Sequence, residues 1–229
     1  MVWLPRWGCD GMITSAQKLL MARAGVSVSN TISFVASTGR SNITPTSSLA
    51  LPEGIEVGDI VIAASMQDSG TPFVPTGYTL GQVGSTSSVG YMWAYKTMAD
   101  PVDTEIVGLK DDTYTTHMAM VFRGSSSSPS VSTPPAINVV ANGMPNPPSV
   151  AAGNGNMVVA LGFLDDTSAP AQEDFLPPTG YTFGAASSGV ACSVMGAYLA
   201  ITASDTYDPD AFSGIVTSEP SVGATFVLS

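Results

Sequence analysis

Residues 73–81 read Phe-Val-Pro-Thr-Gly-Tyr-Thr-Leu-Gly, and residues 175–184 read Phe-Leu-Pro-Pro-Thr-Gly-Tyr-Thr-Phe-Gly. Pro75 maps to Pro178 and Tyr78 to Tyr181, an offset of 103. Downstream, Ala94-Tyr95 maps to Ala197-Tyr198 at the same offset. Ala119-Met120-Val121-Phe122 maps to Ala224-Thr225-Phe226-Val227 at offset 105. Upstream, Ile60-Val61-Ile62-Ala63 maps to Met157-Val158-Val159-Ala160 at offset 97, and Ile32 to Ala36 maps to Ile137 to Ala141 at offset 105. The change from 97 to 103 implies a six-residue insertion in the second copy after Asp165. Offsets change between apolar runs, where loops tolerate length changes. Five matches in one order make an internal repeat.

The chain has 229 residues, room for one large or two small domains. Hydrophobic residues make up 44% and charged residues only 11%, about half the usual share. Glycine (23) and proline (17), with abundant Ser and Thr, fit many short strands joined by tight turns. The net charge of −11 repels phosphate backbones and anionic lipid, so no nucleic-acid partner is expected. No apolar run approaches the length of about 18 residues that a membrane helix needs, and no membrane insertion is expected. Two cysteines, Cys9 and Cys192, are too few for a disulfide framework. Ala22-Arg23-Ala24 imitates a signal-peptidase site, but the apolar stretch before it is short, and no cleaved signal is expected.

Residues 1–25 stand apart. They carry a net charge of +2 against −13 for residues 26–229, and they hold Trp3 and Trp7. Residues 14–24 are good helix formers, with Thr14 or Ser15 to cap the start and Gly25 to stop the helix. From Val26 onward the pattern becomes short apolar runs between turns. Strands are predicted at 31–36, 58–66, 78–83, 89–98, 103–108 and 115–123. Their echoes fall at 136–141, 156–163, 181–184, 190–202, 212–217 and 223–228. Residues 59–65 are apolar on both faces, which predicts a central strand. Pro75-Thr76-Gly77 suggests a type I turn with proline at its second position. The fold expected is all-β: an antiparallel, jelly-roll-like β-sandwich built from the duplication, with an N-terminal arm and one short helix. Its parts are the arm at 1–25, one repeat at 26–125, a Ser/Pro linker at 126–135 and a second repeat at 136–229. Each repeat is either its own small sandwich or half of one shared body; the last strand of each, apolar on both faces, favours the shared body.

Residues with chemistry are few. His117 is the only histidine, so neither a His-rich metal site nor a His relay can form within one chain. At offset 105 its counterpart is Val222, which makes a structural role the expectation. Cys192 aligns with Val89 and is expected in the core; nothing near Cys9 marks it as reactive. The acid pairs Asp111-Asp112 and Asp165-Asp166 and the run Asp205 to Asp210 could ligate calcium through oxygen atoms, but they lack EF-hand spacing, and solvated turns are the expectation. Tyr91, Trp93 and Tyr95 share one strand face; their counterparts Val194, Gly196 and Tyr198 point to a core or inter-repeat role.

Several short motifs resemble a family of β-rich virion proteins of tailed bacteriophages. They are Leu51-Pro52-Glu53-Gly54 followed by Val57-Gly58-Asp59-Ile60-Val61, then Pro75-Thr76-Gly77-Tyr78-Thr79, Ala94-Tyr95-Lys96 and Val121-Phe122-Arg123-Gly124. The resemblance covers roughly residues 30–229 and does not extend to the arm. It implies a non-enzymatic structural protein of the virion, in the tail, a fibre or the capsid decoration, with no catalytic residue, cofactor or metal. Other virion proteins and copies of the chain itself are the expected partners, in a homo-oligomer. Two readings compete: a carbohydrate- or receptor-binding module whose partner is a host-surface glycan, and a secreted hydrolase on a β-sandwich. Ordering residues 1–11 would cost about 10–20 kcal/mol of backbone entropy, while burying both tryptophans would return about 10. The arm is therefore expected to dock on another chain through Trp3, Leu4, Trp7, Leu19 and Leu20; the alternative is a helix and arm packed back on their own β body.

Overall fold

The computed structural model describes residues 31–41, 47–68, 70–86, 88–110, 114–132, 136–166 and 170–229. The helix expected over 14–24 and the docking residues Trp3, Leu4, Trp7, Leu19 and Leu20 lie outside them, as do Cys9, Asp111 and Asp112.

The first half forms β1 (Ile32–Ser41), β2 (Ser48–Ala50), β3 (Ile60–Asp68), β4 (Thr79–Ser85), β5 (Val89–Thr97), β6 (Glu105–Val107) and β7 (Thr115–Gly124). The second forms β8 (Ala136–Val140), β9 (Val150–Ala152), β10 (Met157–Asp165), β11 (Thr182–Ser188), β12 (Cys192–Ala200), β13 (Asp205–Tyr207) and β14 (Ser221–Leu228). One five-stranded antiparallel sheet runs β1-β7-β3-β5-β4, and the other, read from its β8 end, runs β8-β14-β10-β12-β11. The order is the same, strand for strand. Each half adds a two-stranded ribbon, β2 with β6 and β9 with β13. The duplication is therefore structural, and the apolar runs 60–68 and 157–165 take the central place in their sheets.

Local details repeat with it. Tyr78 N–H donates to the Pro75 carbonyl at 3.1 Å, and Tyr181 N–H to the Pro178 carbonyl at 3.0 Å. Gly77 and Gly180 sit third in these turns at φ of 79° and 83°, which side chains disfavour. Proline is therefore first in the turn, not second, and the positive φ suits a type II rather than a type I geometry. The edge strands β4 and β11 both bulge at the glycine that follows, between Leu80 and Gln82 and between Phe183 and Ala185. The inserted residues after Asp165 hold a 3-10 turn, Gln172–Asp174, and bring Phe175 into the core.

Each half completes one sheet before the other begins, unlike the sheet-to-sheet alternation of a jelly roll. The two sheets pack face to face on one shared core, with Ile62, Trp93, Met120 and Phe122 from the first half against Val159, Phe163, Val194 and Phe226 from the second. Trp93 stacks on Phe226 with ring centroids 4.1 Å apart. The ribbons and long loops then cover the outer faces: Leu49, Ile106 and Met98 over Val61 and Val121, and Phe175 and Phe212 over Ala160 and Ala197. Four layers result. Strands β3, β7, β10 and β14 are buried on both faces, which is why their sequences show no polar alternation.

Pairing corrects three expectations. Ile62 pairs with Met120 and Val159 with Phe226, so the last strands correspond at offset 106, not 105. Met118, Met120 and Phe122 then share the inner face with Ala224, Phe226 and Leu228. Residues 137–141 do not correspond to 32–36. Val131 bridges Leu228 where Phe34 pairs with Phe122, so Phe34 matches Val131, and β8 matches the far half of β1. Residues 212–217 form no strand; the echo of β6 is β13, at 205–207.

Candidate functional site

His117 is buried at 1% exposure on the outer face of its sheet, with Nδ1 2.6 Å from the Ser65 hydroxyl oxygen. Its Nε2 has no hydrogen-bond partner among the described residues. Burial pushes its pKa down to about 4, so the ring is neutral near pH 7. Ser65 is as buried as the histidine, at 1% exposure. The pair resembles a nucleophile and its base in residue type only: the hydroxyl has no open face toward a substrate. With the corrected offset, the sister of His117 is Gly223 rather than Val222, and the sister of Ser65 is Gly162, which again pair across the sheet. A Cβ on Gly223 would meet the Pro147 backbone nitrogen at 2.5 Å, and one on Gly162 would meet Pro145 at 3.0 Å. One half thus fills this place with a hydrogen-bonded Ser-His pair, and the other with a loop laid directly on the sheet.

Cys192 lies inside the shared core, paired opposite Asp165 as Val89 is opposite Asp68. Burial pushes its thiol up to about 11, far from the thiolate that a nucleophile needs. The face carrying Tyr91, Trp93 and Tyr95 points into the same core. There Tyr91 sits 5.5 Å from Phe163, while Gly196, the sister of Trp93, makes room for the Met120 side chain.

The motifs behind the phage resemblance converge at one end of the first sheet. Asp59 is buried, accepts the Glu56 N–H at 2.8 Å and receives Arg123 Nε at 2.7 Å; Arg123 also reaches the Gly54 carbonyl. The Asp59 hydrogen bond, followed by the charges of Asp59 and Glu56, holds the guanidinium firmly protonated. The two strands they tie, β3 and β7, are sheet neighbours. In the second half Asn156 replaces Asp59 and Ser229 replaces Arg123, while the Gly58 and Asp59 backbone bonds recur at Gly155 and Asn156. The charged staple is therefore an addition to a turn that closes without it.

A cleft of about 450 Å³ beside Tyr78 is lined by Lys96, Asp103 and Glu105. The Tyr78 hydroxyl finds no partner among the described residues, and burial, then the Asp103 charge, raises its pKa. Tyr181 repeats the orphaned hydroxyl beside different neighbours, so this feature comes with the turn and not with a ligand. Among the described residues no three His, Cys, Asp or Glu side chains gather as a metal ion would require.

The two lateral margins of the sandwich differ. At one, β1 lies across β11; Ser37 Oγ donates to the Gly184 carbonyl at 2.7 Å and Phe34 stacks on Tyr198 at 4.8 Å. At the other, β4 and β8 leave a cleft of about 370 Å³ lined by Ser85, Thr86, Val139, Val140, Ala141 and Pro220. Ile137 and Val139 pair with Ala224 and Val222 and so face the core side of their sheet, yet they are 39% and 55% exposed. Sequence reasoning missed this margin, because exposure of an apolar residue on a core-facing side depends on the overlap of the sheets.

No family model matches the chain, and neither a curated protein nor a solved structure matches it.

Proposed function

We propose that this protein is a non-enzymatic structural component of a tailed-phage virion, held to neighbouring virion proteins by its N-terminal arm and displaying the β-sandwich body outward as a tail, fibre or capsid-decoration element. The observation that carries the reading is the contrast between a basic, Trp-bearing segment, +2 over residues 1–25, and a body at −13 over residues 26–229. Support comes from the shared motifs. Gly58-Asp59 with Arg123 and Pro75 to Tyr78 serve here as turns and a strand staple, the parts a rigid displayed body needs. Deleting residues 1–25 is expected to abolish incorporation into particles while the body keeps its melting temperature. Normal incorporation with a collapsed melting temperature would refute the anchor and make the segment part of the body's own packing.

A further inference from the structure

Edge strands expose a row of unpaired backbone groups, and folds blunt them with bulges, charges or short length. Among the described residues, the four edges of the two five-stranded sheets are β1, β4, β8 and β11. Three of them bulge: β1 between Phe34 and Ala36, β4 at Gly81 and β11 at Gly184. Strand β8, Ala136-Ile137-Asn138-Val139-Val140, pairs with β14 without a register shift and carries no charge and no proline. It is also the edge whose core-facing side chains, Ile137 and Val139, are left open beside a cleft. A regular, uncharged edge with an uncovered apolar side is the geometry that accepts an added strand.

The chain supplies a matching segment outside the described residues. Val2-Trp3-Leu4 is an apolar run ended by Pro5, and Arg6 and Trp7 follow. The described chain starts at Thr31, at the head of β1 and so at the closed margin, whereas β8 lies at the open one. Four strand spacings, about 19 Å, separate these margins. The exit at Thr31 and the acceptor edge thus lie on opposite margins of one copy, so copies set side by side bring the exit of one next to the edge of the other, head to tail. The net charge of +2 over residues 1–25 draws that segment toward a body at −13, and the uncharged β8 edge lets Val2-Trp3-Leu4 dock without desolvating a charge.

We propose that the β8 edge accepts, by strand addition, the N-terminal segment of a neighbouring copy of this chain, with Val2-Trp3-Leu4 extending the sheet beyond β8 and the indoles covering Ile137 and Val139. The inference rests on the arm-anchoring reading above and names its acceptor. The test is self-association of the full chain, measured by sedimentation over a concentration series. Two full-length variants are compared: Val139→Lys, a blocked acceptor, and the pair Trp3→Ala with Trp7→Ala, a disabled donor. The wild type self-associates, each variant alone is weaker by about tenfold or more, and an equimolar mixture of the two recovers a 1:1 complex, since each supplies what the other lacks. Val139 is exposed, so its variant keeps the wild-type melting temperature. A monomeric wild type overturns the proposal and leaves arm anchoring to the particle assay. Association retained by Val139→Lys but lost without the indoles places the arm on another acceptor. Association retained without the indoles but lost in Val139→Lys means that β8 pairs with β8 of a second copy. Loss in both variants with no recovery on mixing also overturns it.

Discussion

His117 should make this protein sensitive to mild acid. The ring is 1% exposed, and its pKa falls from 6.5 to about 4. Burial is the main cause; the Arg40 guanidinium, across the β1–β7 pair, adds to it, and the nearby Lys110 carbonyl works against it. Between these two values the unfolded chain holds a proton that the folded chain refuses, so stability falls as pH drops. The contribution is complete above about pH 6.5 and gone below about pH 4. Each unit of displacement is worth about 1.4 kcal/mol, so the whole window amounts to about 3 kcal/mol. His117→Asn keeps an amide where Nδ1 meets Ser65 and removes the titration. Urea unfolding of both proteins from pH 7.5 to 4.5 separates the histidine from the carboxylates that they share. The wild-type advantage over the variant should shrink by about 2.5 kcal/mol across that range. A difference that stays constant within about 0.5 kcal/mol would refute the premise that His117 is buried in its neutral form.

Two further outcomes follow from the packing. His117→Val leaves the Ser65 hydroxyl buried without its partner and should lower stability by about 2 kcal/mol in urea unfolding; Ser65→Ala with His117→Val should recover much of the hydrogen-bonding part, giving a non-additive double-mutant cycle. Asp59→Ala removes a buried acceptor of the Glu56 N–H and the Arg123 guanidinium and should lower stability by about 2–3 kcal/mol, whereas Glu56→Gln, at an exposed partner, should change it by less than about 0.5.

The duplication was legible because tight turns constrain sequence locally. Pro-Thr-Gly-Tyr needs glycine at a positive φ, and that need survives in both copies. The central strands were legible for a related reason: only burial on both faces explains runs such as Ile-Val-Ile-Ala-Ala. The same property hid the register of β7 against β14. A strand apolar on both faces has no parity, so offsets 105 and 106 look alike in the sequence, although one residue of slip exchanges the faces. Only pairing with β3 and β10 places Met120 with Phe226, and so His117 with Gly223. The ribbons β2, β9 and β13 escaped detection because three residues are too few to show a period of two.

By itself, then, the sequence determined the all-β class, the repeat, its insertion after Asp165 and the charge contrast between arm and body, all properties of local conformation or composition. The tertiary structure decided how the halves share a core, which side of β7 faces it, what partners His117 and Arg123 take, and which sheet margin stays open. Those depend on contacts between residues far apart in the chain, from Ser65 with His117 to Phe34 with Tyr198, whose energies come from surfaces meeting in space and leave no periodic trace along the chain.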